Sequence, residues 1–236
     1  MIARVVGLFR YPVKSMAAEP LEAADVHWHG LAGDRRWAFV RPGLERSDFP
    51  WLTIRERPDM HHFRPSLLDP SRPDDSRTVV RAPGGEELDV ADPALAARLG
   101  DGVRVIKQNR GVFDTAPLSL LSTGSLAGLG ALVGSELDVR RFRPNVLVEP
   151  VDDTVFAEDD WVGAVLRIGQ ARMRVDRRDS RCVMVNVDPE TTERDPSILK
   201  TLGRERDACF GVYGTTVQPG RVAVGDPVLL EAAAAV

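Results

Sequence analysis

The sequence is poor in the residues that hold metals and cross-links. Its 236 residues include two cysteines, Cys182 and Cys209, and four histidines. An iron–sulfur cluster normally needs four thiolates, so we expect none in this chain. A disulfide scaffold is excluded as well, although the sequence leaves a single bridge open. His27 and His29 would share one face of a strand, but no third or fourth ligand accompanies them, and we expect surface histidines there.

The sequence also lacks long apolar runs and blocks of like charge. No stretch of about 18 apolar residues occurs, and segment 2–9 is too short and interrupted for the apolar part of a signal peptide. Lys and Arg number 31 against 35 Asp and Glu, and no basic run alternates with aromatic residues as in nucleic-acid surfaces. We therefore expect a soluble cytoplasmic protein with no nucleic-acid partner and no membrane contact.

The hydrophobic pattern predicts mostly β-structure. Apolar residues occupy every second position in 171–175 and 221–224, which is typical of strands with one buried face. Asp92, Ser122 and Asp195 are expected to cap helices over 94–99, through 132, and over 197–202. Further strands are expected at 3–9, 37–40, 78–81, 102–107, 145–148, 165–168, 182–187 and 211–217. Many short strands with three short helices indicate a mainly β or α+β fold, with a β-barrel as one architecture.

The chain is expected to contain two β-rich parts. The hydrophobic content of 43% is enough for one large domain or two small ones. Segment 67–75, with prolines at positions 70 and 73, is the clearest loop. A boundary near 108–111 divides the chain into an N-terminal β-rich region, 1–108, and a second unit, 109–236. The alanine run 232–235 is expected to be a frayed tail.

Cys182 has the surroundings that most suggest chemistry. It follows Ser180 and Arg181, and arginines at 177 and 178 lie close by in the sequence. Nearby positive charge favours the thiolate, the form that attacks electrophiles and binds soft metals. A free cysteine more often serves as a small core residue, and the local sequence leaves both interpretations open.

Four polar segments begin or end predicted strands and helices. They supply ammonium, guanidinium and hydroxyl groups, which are the donors that a phosphate-bearing ligand requires. Each segment taken alone is more often an ordinary turn with a solvated charge. The segments are Tyr-Pro-Val-Lys-Ser (11–15), Gly-Asp-Arg-Arg-Trp (33–37), Asp-Thr-Ala-Pro (114–117) and Arg-Phe-Arg-Pro-Asn (141–145).

Taken in order with four later segments, these motifs resemble a known family. The later ones are Ser-Arg-Cys (180–182), Val-Asp-Pro (187–189), Phe-Gly-Val-Tyr (210–213) and Gly-Arg-Val-Ala-Val-Gly-Asp-Pro-Val (220–228). Together they look like a MOSC-domain protein, similar to the branch that contains the mitochondrial amidoxime-reducing component and its bacterial relatives. The resemblance implies a MOSC β-barrel domain preceded by a β-rich region whose first segments, about residues 1–36, contribute to a cofactor site.

The resemblance also implies a molybdenum cofactor, molybdenum bound by molybdopterin. Cys182 matches the cysteine that ligates the metal, and a soft thiolate suits that role. Ala116 stands where relatives often have serine, so one hydroxyl contact is missing. Arg36 and Cys209 match no functional position; we expect Arg36 to face solvent and Cys209 to pack in the core. The positions that match cofactor-binding ones are Lys14, Ser15, Arg35, Thr115, Arg143, Asn145, Ser180, Arg181 and, near the metal, Tyr213.

The implied activity is that of an oxidoreductase. It would remove oxygen from N-hydroxylated compounds such as amidoximes and hydroxylamines in a two-electron step, with Cys182 catalytic as the metal ligand. Without a cluster of its own, the chain would take electrons from a separate ferredoxin, flavoprotein or cytochrome. Two alternatives stay open: a sulfur carrier that holds a persulfide on Cys182, and a carrier that binds the molybdenum cofactor without catalysis.

Overall fold

The fold is taken from a computed structural model that describes residues 1–152 and 154–231. These residues form sixteen strands, three α-helices and four 3-10 helices. The strands are β1 (Ala3–Arg10), β2 (Glu19–Leu21), β3 (Ala23–His27), β4 (Gly30–Leu31), β5 (Trp37–Val40), β6 (Arg64–Leu67), β7 (Thr78–Arg81), β8 (Glu87–Asp89), β9 (Arg104–Lys107), β10 (Leu118–Ser122), β11 (Val146–Pro150), β12 (Val165–Ile168), β13 (Ala171–Ser180), β14 (Cys209–Gln218), β15 (Gly220–Ala223) and β16 (Pro227–Glu231).

The helices are short. The three α-helices are α1 (Pro93–Leu99), α2 (Thr123–Val133) and α3 (Pro196–Arg206), and the 3-10 helices span Pro58–His62, Val139–Arg141, Ala157–Trp161 and Val183–Asn186. Each predicted cap is present: side-chain oxygens of Asp92, Ser122 and Asp195 accept hydrogen bonds from backbone N–H groups in the first turns of α1, α2 and α3. The predicted tail at 232–235 lies outside the described residues.

Seven of the described strands close into a β-barrel. They pair in the order β11, β10, β14, β13, β12, β16 and β1, and β1 pairs again with β11 to complete the ring. The β10–β11 pair is parallel and the other pairs of the ring are antiparallel. The expected mainly β fold with a barrel and few short helices is confirmed.

The alternation of apolar and charged residues along β13 shows why the barrel interior is apolar. Ala171, Met173 and Val175 are buried in the barrel core, while the arginines at 172 and 174 between them point outward and pair with acidic side chains. Burying a side chain such as valine or methionine contributes about 1.5–3 kcal/mol, so each inward position favours this register of the strand. The same strand ends at Ser180, which brings the segment 179–182 to the rim of the barrel.

A second hydrophobic core lies beside the barrel. Strands β5 to β9 and α1 surround it, and Phe39, Ile54, Met60 and Leu95 are among its fully buried side chains. After β1, Val13 and Met16 pack in this second core, and the chain then returns to the barrel with β2, which pairs with β1. Residues 11–16 therefore bridge the two cores. The predicted boundary near 108–111 places β1 in the N-terminal region, but β1 is a strand of the barrel. The boundary itself stays a prediction.

The predicted strand at 182–187 is wrong. Cys182 is extended, but Val183–Asn186 form a 3-10 turn in which the N–H of Val185 donates to the carbonyl of Cys182 at 3.2 Å. Val185 and Val187 are buried, which explains the apolar alternation. Val185 packs with Ile198 and Leu202 of α3, and the amide oxygen of Asn186 accepts a hydrogen bond from the N–H of Leu199 in that helix at 3.0 Å.

Candidate functional site

A cleft opens where the barrel rim meets the small subdomain. Its volume is about 330 Å³. The rim contributes the ends of β13 and β14 and the loops before β10 and β11, and the subdomain contributes the turns after β1 and before β5. All ten residues that the sequence nominated line this one cleft: Lys14, Ser15, Arg35, Thr115, Arg143, Asn145, Ser180, Arg181, Cys182 and Tyr213.

The cleft is strongly cationic although the chain carries a net charge of −4. Two carboxylates, Asp114 and Asp179, face six positively charged side chains across the described lining: Lys14, Arg35, Arg55, Arg141, Arg143 and Arg181. Such an excess of cations in a concave site attracts anions and raises their local concentration. Arginine and lysine together suit phosphate groups, arginine through its planar fork and lysine as a compact charge. The cleft therefore suits an anionic ligand.

Asp34 organises the floor of the cleft. Its carboxylate is 1% exposed and accepts hydrogen bonds from the backbone N–H of Tyr11 at 2.7 Å and from Nδ2 of Asn145 at 3.2 Å. It also pairs with the guanidinium of Arg35. Asp34 stands in the motif at 33–37, but nothing in the sequence assigns it a role. The carboxylate fixes three neighbouring groups and offsets part of the charge that the floor would otherwise carry.

Tyr11 contacts two guanidinium groups with its ring. The Cζ atoms of Arg35 and Arg143 lie 4.6 and 4.2 Å from the centre of its ring, within the range of cation–π attraction. The tyrosine hydroxyl donates to the carbonyl of Pro144 at 3.1 Å. Burial raises the pKa of Tyr11 to about 12, against the opposing effect of Arg143, so the ring stays neutral at physiological pH.

Three cleft residues have left-handed backbone conformations that side chains other than glycine rarely adopt. The φ angles are +67° at Ser15, +48° at Arg35 and +53° at Arg143. Each costs of order 1–3 kcal/mol and persists only where the surroundings enforce it. The conformations turn the chain sharply at the three places where it presents donors to the cleft. Strain concentrated in this way points to a binding role for these turns.

Lys14 lies deep in the cleft wall. It is 5% exposed, its Nζ donates to the carbonyl of Val112 at 3.2 Å, and it pairs with Asp114. Burial lowers the pKa of Lys14, and the attraction of Asp114 acts in the opposite direction. The ammonium also lies 5.7 Å from the centre of the Phe49 ring. The side chain is thus held in place before any ligand binds.

Two of the nominated residues, Asn145 and Arg181, form side-chain hydrogen bonds with backbone groups of the protein. Nδ2 of Asn145 reaches the carbonyl of Phe9 at 3.2 Å and its Oδ1 accepts from the N–H of Ser119, also at 3.2 Å. The guanidinium of Arg181 donates to the carbonyls of Phe142 at 2.8 Å and Phe210 at 2.7 Å. Both side chains therefore hold the cleft walls together, and their roles toward a ligand stay predictions.

Cys182 is half-buried, and its cationic partner is not one of the arginines near it in sequence. Nη2 of Arg55, from the small subdomain, donates to Sγ of Cys182 at 3.3 Å. Arg181 instead pairs with Asp179 at 2.8 Å, and Arg178 pairs with Asp159 at 3.2 Å. The hydrogen bond to Cys182 raises the pKa of Arg55 above its usual value. The expected positive charge beside the thiol is present, but it comes from 127 positions away.

Asp179 is a buried acid at the back of the cleft. It is 1% exposed, and burial raises its pKa to about 6, with Arg181 opposing the shift. Burial also raises the pKa of the nearby Tyr213 hydroxyl above its usual value, and the negative charge of Asp179 adds to this effect. Nothing in the sequence singles out Asp179, although it directly precedes Ser180.

We expect Asp179→Asn to flatten the pH dependence of folding. The unfolded chain releases this proton near pH 4 but the folded protein holds it to about pH 6, so stability falls as pH rises between those values. In the wild type, this group should lower the unfolding free energy by about 3 kcal/mol between pH 4 and pH 7. The variant should lack that decrease. Urea unfolding across that range measures it, with Asp176→Asn, on the same strand, as the control. Identical pH profiles for the wild type and Asp179→Asn would contradict the assignment.

Two expectations outside the nominated set need correction. Arg36 does not face solvent, because its side chain is 12% exposed and pairs with Asp74 at 3.3 Å. Cys209 is half-buried at the start of β14 instead of in a hydrophobic core, and its Sγ lies 3.5 Å from the carbonyl oxygen of Asp207. Both cysteines are free, so the bridge that the sequence left open is not formed.

The histidine pair shows no metal-binding arrangement. Nδ1 of His27 lies 3.1 Å from Asp74, and His29 lies in the turn after β3. Within residues 1–152 and 154–231, no group of three or more His, Cys, Asp and Glu side chains could hold a metal ion. In that part of the chain, also, no helix is long and apolar enough to cross a membrane.

Comparison with known proteins identifies the family. The family model for the MOSC domain matches residues 96–229, and the one for the MOSC N-terminal beta barrel domain matches residues 2–115. The chain belongs to the MOSC family. This MOSC-domain protein is 32% identical to mitochondrial amidoxime reducing component 2 of Bos taurus, over 96% of this chain and 83% of that protein. The prediction of the family from eight short motifs is confirmed.

Other relatives match over a smaller part of their length. Human mitochondrial amidoxime-reducing component 1 is 34% identical over 50% of this chain, and the match spans 37% of that protein. The molybdenum cofactor sulfurase of Drosophila grimshawi is 27% identical over 95% of this chain, which corresponds to 34% of its own length.

The crystal structure of the YuaD protein from Bacillus subtilis shares the fold, with a TM-score of 0.53, 14% identity, and coverage of 97% of this chain and 94% of that one.

Proposed function

We propose that this MOSC-domain protein binds a molybdenum cofactor and reduces N-hydroxylated compounds such as amidoximes and hydroxylamines. The observation that carries the proposal is a thiol with a guanidinium partner, Cys182 with Arg55, in a cleft whose other charges are mostly cationic. Relatives that bear the name amidoxime-reducing component support the choice of substrate class.

The residues present fit a cofactor that combines a soft-ligated metal with a phosphate. Molybdenum held by sulfur favours a thiolate ligand, and Cys182 is the cysteine that lines the described cleft. Arg143 lines the cleft, and within the described residues its guanidinium donates a hydrogen bond from Nη1 to the carbonyl of Met16 at 2.7 Å. A guanidinium has five N–H donors, so others remain for an anionic oxygen of the cofactor. The same cleft therefore contains a thiol suited to the metal and a guanidinium suited to the phosphate.

The roles of the side chains follow from their positions. Cys182 would ligate the metal, and Arg55 would orient its sulfur through the hydrogen bond from Nη2. Lys14, Arg35 and Arg143 would hold the anionic parts of the cofactor, which supplies the two-electron chemistry when bound. Apolar side chains of the lining, including Phe49, Phe113 and Met184, would contact the organic part of the substrate and limit water.

The balance of the reaction requires a partner. Converting an N–OH group to N–H with release of water consumes two electrons and two protons per substrate. Since the chain has two cysteines and no cluster of its own is expected, the electrons would come from a separate ferredoxin, flavoprotein or cytochrome.

A cytoplasmic location stays a prediction.

Turnover by the purified holoprotein tests the proposal. With a chemically reduced viologen dye as the electron donor, the protein should convert a model amidoxime to the amidine. Chromatography measures the amount of amidine formed. Protein from cells that cannot make the molybdenum cofactor should be inactive and serves as the control. A fully molybdenum-loaded sample without any turnover would contradict the reductase and favour a carrier that binds the cofactor without catalysis.

A sulfur carrier is the second candidate. Its support is the alignment of nearly the whole chain with part of a protein named molybdenum cofactor sulfurase. In this case Cys182 would hold a persulfide, and the same guanidinium contact would stabilise its anionic sulfur. Intact-protein mass spectrometry should then show an adduct of about 32 Da that is absent from Cys182→Ser and independent of molybdenum.

A further inference from the structure

A second cavity lies on the far side of Arg143 from the cleft. Its volume is about 250 Å³, several times the roughly 30 Å³ that one water occupies. Arg143 lines both the cleft and this cavity, while Tyr11, packed against the guanidinium, lines the cavity alone. Cys182 is not among the residues of the cavity lining. The cavity is therefore a separate space that shares one cationic wall with the candidate active site.

His61 is the unusual residue of this second cavity. Its side chain lines the cavity, the residue is 7% exposed, and Nε2 has no hydrogen-bond partner among the described residues. Burial lowers the pKa of His61 to about 3, so the ring is neutral at physiological pH. Arg143 Nη2 is likewise without a partner. Buried polar atoms are seldom left unpaired, and each one costs about 1–3 kcal/mol.

Charge around the cavity favours an anion. Arg64 is exposed at its edge and forms no ion pair within the described part of the chain. Glu190 is the lining carboxylate, and Arg140 already engages it at 2.6 Å. His62 also lines the cavity, and its Nε2 lies 2.8 Å from the carbonyl oxygen of Glu190. Most of the other lining residues are apolar and include Phe9 and Pro20. The cavity thus combines cationic and neutral polar groups with hydrocarbon walls.

We propose that this cavity binds a small organic carboxylate between His61 and Arg143. A carboxylate has two oxygens; Nη2 of Arg143 can donate to one of them, and neutral His61 can donate to the other in the tautomer that carries its proton on Nε2. An apolar ring or chain on the ligand matches the walls formed by Phe9 and Pro20. Bare phosphate fits less well, because its additional oxygens would face those apolar walls without donors.

The test uses 4-bromobenzoate as the probe and the full chain as purified. Isothermal titration measures its affinity, and anomalous scattering from bromine locates it in soaked crystals. We expect the bromine in the second cavity and binding about tenfold weaker for His61→Leu, which removes the ring nitrogens but keeps apolar bulk. Ala18→Met, which adds bulk to the lining without changing the donors, should also weaken binding. His29→Gln, an exposed histidine outside the lining, is the matched control.

A neutral probe of the same shape separates charge from packing. 4-Bromobenzamide should bind at least about tenfold more weakly than the benzoate, because it carries no charge for Arg143 to hold. Equal affinity for the two probes would overturn the carboxylate assignment. Bromine found only in the cleft that contains Cys182, or affinity unchanged in both His61→Leu and Ala18→Met, would overturn the site itself.

Discussion

Replacing Cys182 with serine is expected to remove molybdenum from the protein and abolish reductase activity. Serine keeps the size of the side chain and an acceptor for Arg55, so the local fold should survive. Its hydroxyl is a harder ligand that stays protonated at neutral pH, whereas a molybdenum ion bound by sulfur favours a thiolate. Metal analysis of natively expressed protein should find stoichiometric molybdenum in the wild type and little in the variant.

Cys209→Ser is the matched control for this prediction. Cys209 is also half-buried and free, but it is not among the residues that line the cleft. The control protein should retain its molybdenum, with at most a small loss of stability. A Cys182→Ser protein with the full complement of metal would remove Cys182 from the ligand set. Wild-type protein purified without molybdenum, from cells able to make the cofactor, would count against the proposed function as a whole.

Local signals explain what could be predicted from the sequence. The caps at Asp92, Ser122 and Asp195 satisfy backbone groups within three residues of themselves, so a short window contains all the information. The alternation in β13 is equally local, since each side chain meets either the barrel interior or solvent. The grouping of ten residues in one cleft followed from the order of eight motifs, because a shared order indicates a shared fold.

Contacts between distant segments could not be predicted in this way. Arg55 lies in a turn of the small subdomain with no motif around it, and only the packing of that subdomain against the barrel brings it to Cys182. The 3-10 turn after Cys182 was misread because its buried valines alternate as they would in a strand. The role of Asp34 could not be predicted either, since it depends on hydrogen bonds from Tyr11 and Asn145.

Arg55→Gln is expected to make Cys182 less reactive. Nη2 of Arg55 donates to Sγ of Cys182 at 3.3 Å, and its positive charge stabilises negative charge on the sulfur. Solvent screening limits such an exposed contact to about 0.2–1 kcal/mol, which corresponds to roughly a one-and-a-half- to fivefold fall in the rate of alkylation by iodoacetamide at neutral pH. The measurement uses cofactor-free protein in a Cys209→Ser background, so that Cys182 alone reports. Arg55→Lys keeps the charge but loses the planar fork, and its rate should lie between the other two.

Arg77→Gln provides the matched control for the loss of an arginine. Its guanidinium pairs with Asp89 at 2.9 Å on the exposed face of the small subdomain and does not line the cleft. This variant should react at the wild-type rate, which separates the contact with the thiol from the general loss of positive charge. An unchanged rate in Arg55→Gln would mean that the guanidinium does not act on the sulfur. A reduced rate in the cofactor-free protein, with full molybdenum in separately prepared, natively expressed Arg55→Gln, would show that Arg55 acts on the sulfur while the other cations of the cleft hold the cofactor.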